Sequence, residues 1–175
     1  MQRVIVIGSG GAGKSTLARQ IGETLGLPVV HLDREYWRPG WTETPKDEWR
    51  RKVEEIVRRD RWVIDGNFGG TMEIRIAVCD TIVFLDFPRT LCTYRAIKRW
   101  ITYYNRTRPD MGAGCNEKID LEFLSWVWNF PTRSKPAIEK RLAALAIDKR
   151  LIRLRSPKEV KQFLTALAAG DANSI

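Results

Sequence analysis

The chain is poor in cysteine, histidine and long apolar runs, and each shortage excludes something. Three cysteines in 175 residues, Cys79, Cys92 and Cys115, are too few and too scattered for a disulfide framework. They form no C-x-x-C pair, so no structural zinc site is expected. The single histidine, His31, falls on an expected strand and reads as structural. No apolar run approaches the ~20 residues of a membrane helix, so no membrane partner is expected. The N-terminal apolar run is only Val4–Ile7, which argues against a signal peptide and for a cytoplasmic location. Acidic residues are also in deficit, with 21 Asp and Glu against 30 Lys and Arg and a formal net charge of +9. Twenty of the 30 basic residues are arginines. An arginine excess suits bidentate contacts with phosphates, a nucleic-acid footprint or a merely solvated surface, and charge alone does not choose among them. Repeats, linkers and low-complexity segments are missing too, so residues 1–175 are expected to form one domain.

What is present is organised around one stretch. Gly8-Ser9-Gly10-Gly11-Ala12-Gly13-Lys14-Ser15-Thr16 matches G-x-x-x-x-G-K-[ST] at every defined position. The apolar run before it reads as a buried parallel strand. Leu17, Ile21 and Leu25 after it recur every four residues, so a helix is expected from about Lys14. Strand, glycine loop and helix together aim backbone N–H groups and a helix N-terminus at an anion. On this reading Gly8, Gly10, Gly11, Ala12, Gly13, Lys14, Ser15 and Thr16 form the nucleotide-binding loop. Lys14 reaches the β- and γ-phosphates and the Ser15 hydroxyl holds magnesium.

Further along, a strand is expected over Pro28–Leu32, followed by Asp33. A carboxylate beyond the C-terminal end of a parallel strand points into the ligand crevice, where Asp33 would touch a substrate hydroxyl or magnesium; a turn or helix-cap acid is the alternative. Arg34–Thr44 carries Trp37, Trp41, Arg34 and Arg38 around a Pro39-Gly40 turn, and reads either as a substrate pocket or as a cover for the core edge. Helical spacing runs from about Pro45 to Asp60. Two strands then end in acids, Arg61–Ile64 before Asp65 and Thr81–Leu85 before Asp86, with a short helix between them at Thr71–Cys79. Either acid could serve the magnesium shell. A longer helix is expected over Leu91–Arg106, with Leu91, Tyr94, Ile97, Ile101 and Tyr104 as its apolar stripe and Arg95, Arg99 and Arg106 sharing another face. Proline and glycine break the chain at Arg106–Cys115. The Leu121–Phe130 run is apolar nearly all round, which reads as a buried helix or an interface. Ile138, Leu142 and Leu145 mark another helix, Leu151–Leu154 a last strand, and Pro157 the start of a last helix. Residues 170–175 are expected to fray. Strands alternating with helices about five times argue for one parallel α/β sheet covered on both faces.

The stretches GSGGAGKST, HLDREYWRPGW, VIDGNFGGTMEIR, DTIVFLDFPR, RPDMGAGC and EFLSWVW together resemble the DNA topology modulation proteins. These are P-loop proteins related to adenylate kinase. The resemblance spans Val4 to about Leu145, and its general features are similar to those of nucleotide and shikimate kinases. It implies a three-layer P-loop NTPase fold with a five-stranded parallel sheet in order 2-3-1-4-5 and a helical, lid-like insertion at about 99–135. In that order the strand ending at Asp65 neighbours the phosphate loop, so the resemblance favours Asp65 beside Ser15 as the metal residue. It also implies that Arg95 lies against the adenine, that Arg99 reaches the phosphates and that Asp33 contacts the acceptor. One departure is that adenylate kinases carry Gly-Phe-Pro-Arg where this chain has Gly66-Asn67-Phe68-Gly69, so a grip on AMP is not implied.

The expected activity is phosphoryl transfer from ATP, with Mg²⁺, to an unidentified small-molecule acceptor, catalysed by Lys14, Asp33 and Arg99. The alternative is a DNA-binding, topology-modulating protein with a nucleotide-binding or NTPase core. No helix-turn-helix or zinc finger is readable, and weak, non-specific nucleic-acid binding is the most that the charge implies.

Overall fold

A computed structural model describes residues 1–118, 120–144 and 149–171. In chain order, β1 (Arg3–Gly8) leads through the glycine loop into α1 (Lys14–Leu25), then β2 (Val29–His31) and the short α2 (Leu32–Tyr36). A small hairpin of β3 (Trp37–Arg38) and β4 (Thr42–Glu43) precedes α3 (Lys46–Val57), β5 (Trp62–Asp65) and α4 (Met72–Val78). The chain continues through β6 (Thr81–Leu85), α5 (Arg89–Tyr103), α6 (Leu121–Arg133), α7 (Lys135–Ala143), β7 (Arg150–Leu154) and α8 (Pro157–Ala168).

The main sheet has the order β2-β5-β1-β6-β7, and every pairing in it is parallel. Counting its five strands alone, this is the expected 2-3-1-4-5. β1 lies at the centre, so both faces of its Val4-Ile5-Val6-Ile7 run are buried. Side chains alternate across a strand, and the core divides accordingly. Val4 and Val6 join Val63, Val83 and Ile152 against Leu17 and Ile21 of α1 and Phe163 of α8. Ile5 and Ile7 join Ile64, Ile82 and Phe84 against Trp49 and Val53 of α3, Met72 of α4 and Ile138 of α7. Two helical layers thus enclose one sheet. Local signals fix several helix ends. Gly26, in the left-handed conformation, closes α1. Ser156 and Glu159 open α8: the Ser156 hydroxyl accepts from Glu159 N–H at 3.2 Å and donates to Glu159 Oε1 at 3.1 Å, and Glu159 Oε2 accepts from Arg155 N–H at 2.8 Å.

Some elements differ from the sequence expectation. β2 is shorter than Pro28–Leu32, because Leu32 already begins α2 and Asp33 sits in its first turn. On α5 the expected apolar stripe largely faces outward, with Tyr94 62% and Ile101 65% exposed. The buried residues of that helix are Cys92 and Ala96, small side chains that let it approach the phosphate loop. α6 is buried on one face only, through Val127 and Phe130, and leaves Leu121 72% exposed. Leu145 and residues 172–175 lie outside the described residues. Among the described residues, no helix is long and apolar enough to cross a membrane.

Candidate active site

The glycine loop connects the end of β1 to the start of α1 and is held from three sides. Gly11 has φ +75°, and a Cβ there would lie 2.2 Å from the Cys92 carbonyl oxygen of α5, so only glycine fits this contact. A Cβ at Gly10 would meet Phe123 of α6 at 2.7 Å. From the third side the Asn67 amide clasps Gly8, accepting from its N–H at 3.1 Å and donating to its carbonyl at 2.9 Å. Within the loop, Ala12 N–H is spent on Ser9 O. The amides that open α1 lack helical acceptors by construction and face the cavity. Lys14 donates to Ser9 O at 3.0 Å. Burial lowers its pKa, against the opposing pull of Asp33 and Asp65.

Next to the loop stands a chain of polar contacts. Ser15 Oγ donates to Asp65 Oδ2 at 2.7 Å, and Asp65 Oδ1 meets His31 Nδ1 at 2.5 Å. The sheet register makes this pair, because His31 and Asp65 are direct partners between β2 and β5. Burial acts to lower the His31 pKa, but its hydrogen bond to Asp65 and the Asp65 and Asp110 charges outweigh that, leaving it raised. Asp33 is half-buried beside Lys14, and its carboxylate has no hydrogen-bond or ion-pair partner among the described residues. Loss of water around its carboxyl raises its pKa, opposed by the Lys14 charge.

Residues 104–118 cover the cavity. They are held by bridges Tyr104 to Glu117 and Thr107 to Asn116, and they dock on the β3–β4 hairpin. Gly40 N–H donates to Gly114 O at 3.0 Å, and the Trp41 indole N–H to Asn116 O at 2.9 Å. Under this cover the buried Glu117 receives two arginines, Arg99 at 3.0 Å and Arg108 at 2.7 Å. Arg108 also pairs with Asp110 at 2.9 Å. Burial and the neighbouring Arg108 charge lower the Arg99 pKa, and Glu117 resists the shift. Burial acts to raise the Asp110 pKa, yet Arg108 and the Ser15 hydroxyl pull it below its usual value. Arg95 lies near Ala12 O at 3.4 Å, its guanidinium 5.5 Å from the centre of the Phe87 ring. One cavity of about 770 Å³ joins the loop, Asp33, the arginines and the hairpin tryptophans.

Solved structures with this arrangement of strands and helices include a shikimate kinase from Acinetobacter baumannii in complex with shikimate. It has a TM-score of 0.61 and 14% identity, and the match covers 99% of this chain and 94% of that one. A gluconokinase from Sinorhizobium meliloti matches with a TM-score of 0.52 and 16% identity, covering 99% and 95%. A shikimate kinase from Bacteroides thetaiotaomicron matches at 0.51 and 20%, covering 96% and 97%. The chain has the P-loop kinase fold. At these identities the likeness is one of fold. No protein-family model matches the chain, and no curated protein sequence does.

In this P-loop kinase fold the residues singled out from the sequence gather in one cavity: Gly10 to Thr16, Asp33, Arg95 and Arg99 all line it, and Asp65 touches Ser15 from beneath. Asp86 is committed elsewhere, to Lys135 at 2.7 Å and Arg153 at 3.0 Å. The tryptophans of the Arg34–Thr44 segment line the cavity but its arginines do not. Arg34 is exposed, and Arg38 pairs with Glu48 at the surface.

Sequence reasoning missed five residues here. Arg108 and Asp110 lie in the Arg-Pro-Asp-Met-Gly stretch, which read as a helix break and a motif of the resemblance, with no role for either side chain. Glu117 carries no local signal. His31 looked structural, and its contact with Asp65 depends on strand register. Arg75 is fully buried and donates to the carbonyls of Gly66 at 2.9 Å, Asn67, Phe68 at 3.2 Å and Thr71 at 3.4 Å. Burial lowers its pKa to about 10, so it stays charged at neutral pH and shapes the turn that presents Asn67 and Phe68.

The residues fit a magnesium nucleotide. Mg²⁺ prefers oxygen ligands and is commonly held by one or two carboxylates together with substrate phosphates. The Ser15 hydroxyl and Asp65 carboxylate supply such oxygens next to the loop amides. Among the described residues no cluster of three His, Cys, Asp or Glu side chains would hold a metal alone.

Proposed function

We propose that the protein is an ATP- and magnesium-dependent kinase that transfers the γ-phosphoryl group to a hydroxyl of a small molecule. The observation that carries this reading is Asp33, a carboxylate without a partner among the described residues, in one cavity with Lys14 and the loop amides. A free carboxylate with a raised pKa, beside a phosphate-binding loop, has the chemistry of a general base. The likeness in fold to a gluconokinase and to shikimate kinases supports a small-molecule acceptor.

The roles follow from position. The loop amides bind the β- and γ-phosphates, and Lys14 turns from Ser9 O to join them. Arg95 packs beside the nucleotide base, and Arg99 and Arg108 face the transferring group, oriented by Glu117. Ser15 and Asp65 would hold the metal, which would offset the charge of the phosphates. Asp33 accepts the proton of the acceptor hydroxyl. The acceptor oxygen bonds to the γ-phosphorus as the bond to the β–γ bridging oxygen breaks, leaving ADP. Lys14, Arg99 and Arg108 stabilise the charge that develops.

The chain is read as one domain with a lid-like insertion at about 99–135. Because α6 packs into the core through Val127 and Phe130, we assign the moving part to 104–118. The stretches resembling DNA topology modulation proteins, HLDREYWRPGW and RPDMGAGC, contribute the hairpin and this cover, so membership of that family would mean a shared acceptor site. A thermal-shift screen tests the whole reading. Magnesium with a non-hydrolysable ATP analogue should raise Tm, and an acceptor should raise it further by mass action. No shift in the wild type, or an equal one in Lys14→Ala, would refute it.

A further inference from the structure

The acceptor end of the cavity differs in chemistry from the phosphate end. Its wall is aromatic. Tyr36 packs on Trp37, Trp49 and Phe68 with ring centroids 5.0, 5.1 and 4.9 Å apart, and Trp37 meets Trp41 edge-on at 5.6 Å. Trp37, Trp41 and Phe68 line the cavity, and the Trp41 indole N–H is already used on Asn116 O. These rings brace one another, so they offer fixed flat surfaces at low entropic cost. The polar groups beside them are the unpartnered Asp33, Asp110 and the Asn67 segment. Three cations of this region are already paired. Arg108 serves Asp110 and Glu117, Arg38 pairs with Glu48 and Lys52 with Glu35. Arg19 reaches the rim from an exposed position on α1, one turn beyond Ser15, and Lys118 from an exposed position at the end of the 104–118 cover.

We infer that the acceptor is an uncharged hydroxyl compound with a flat, carbon-rich face, of the sugar-ring or nucleoside type, held between the Trp37–Trp41 pair and the Asp33 carboxylate. A carboxylate- or phosphate-bearing acceptor would meet Asp33 and Asp110 where Arg108, Arg38 and Lys52 are already paired, and like charges close together in a low-dielectric cleft repel. A neutral hydroxyl instead donates to Asp33 while C–H groups or a base stack on the indoles. The inference rests on the kinase reading and narrows its substrate.

Paired probes test it, each pair differing by an anionic group: glucose against glucuronate, and thymidine against thymidine 5′-monophosphate. Binding is measured calorimetrically to the full chain saturated with magnesium and a non-hydrolysable ATP analogue. The neutral member of at least one pair should bind tenfold or more tighter than its anionic counterpart, and which pair responds separates sugar from nucleoside. Trp37→Leu and Trp41→Leu should weaken that binding at least fivefold while leaving affinity for the ATP analogue unchanged, which also shows that the variants fold. Tighter binding of the anionic members, or no binding of either neutral probe, overturns the inference. An anion preference that disappears in Arg19→Ala or Lys118→Ala overturns it too and names the anion reader. If the analogue itself fails to bind, the kinase reading falls. The probes are then titrated alone, where tryptophan-dependent binding of a neutral probe upholds the pocket chemistry and its absence refutes it.

Discussion

The two ends of the cavity are built in opposite ways. The phosphate end comes from one contiguous stretch, Gly8 to Thr16, whose backbone is the ligand-binding surface. Groups elsewhere only wedge it, through the Cys92 carbonyl and the side chains of Phe123 and Asn67. The acceptor end is assembled from side chains of three separate segments: the Asp33–Trp41 region, the turn at Asn67–Phe68 and the 104–118 cover. A backbone site depends on local conformation and tolerates varied surroundings. A side-chain site depends on packing partners distant in sequence, such as Tyr36 bracing Trp37 and Phe68. The phosphate end accordingly rests on local backbone and the acceptor end on tertiary packing.

Substitutions at each end should separate accordingly. The largest effect is expected from Asp33→Asn, with kcat lowered by about 10²- to 10⁴-fold and ATP affinity nearly unchanged. The pH profile sharpens this. Burial raises the Asp33 carboxyl above its ordinary value, so the base form is lost as pH falls through a pKa above the usual carboxylate value. The wild-type kcat/KM should show that acid limb, and the variant should lack it. If Asp33→Asn weakened ATP binding as much as turnover, the division into two ends would fail.

Lys14→Ala should follow, removing a charge-assisted contact of about 1.5–3 kcal/mol, roughly 10- to 150-fold in ATP affinity. Acceptor-probe binding, followed by calorimetry, should hardly move. Next in size is a contrast between two acids that close neighbouring strands. Asp65→Asn should raise the magnesium concentration needed for half-maximal activity by about 10- to 100-fold. Asp86→Asn should leave that requirement alone and cost about 1–2 kcal/mol of stability in denaturant unfolding, because it leaves the half-buried Lys135 and Arg153 short of a partner. Exchanged outcomes would reverse the assignment. The smallest effect concerns the surface rather than either end. Nucleic-acid binding should be weak and indifferent to sequence, with log affinity falling steeply as log salt rises, in a fluorescence-anisotropy titration. Selective binding that survives physiological salt would instead favour a DNA-directed function.

How much was legible depends on how local each signal was. The phosphate loop, the strand–helix alternation and the sheet order could be read because glycine chemistry and hydrophobic periodicity act over a few residues, and because motif resemblance supplied the order. The outward-facing stripe of α5 could not. Tyr94 and Ile101 carry the right spacing for a core face, yet the helix turns its small residues, Cys92 and Ala96, toward the loop instead. Arg34 and Arg38 looked like pocket residues beside two tryptophans, but only the tryptophans point inward.

By itself, the sequence determined that a phosphate-binding loop sits between a buried strand and a helix, and that parallel strands alternate with covering helices. Those outcomes follow from backbone conformation and from burial of apolar side chains, both encoded within short stretches. Only tertiary structure shows why Asp65, which the resemblance favoured, and not Asp86 meets the loop. Asp65 and Asp86 follow equally apolar strands on either side of β1. β2 brings His31 to Asp65 while the start of α1 brings Ser15, and α7 and β7 bring Lys135 and Arg153 to Asp86. The same was true of the Arg99–Glu117–Arg108 cluster. A charge takes its role from the groups within a few ångströms of it, and those groups are brought there by strand order and helix packing.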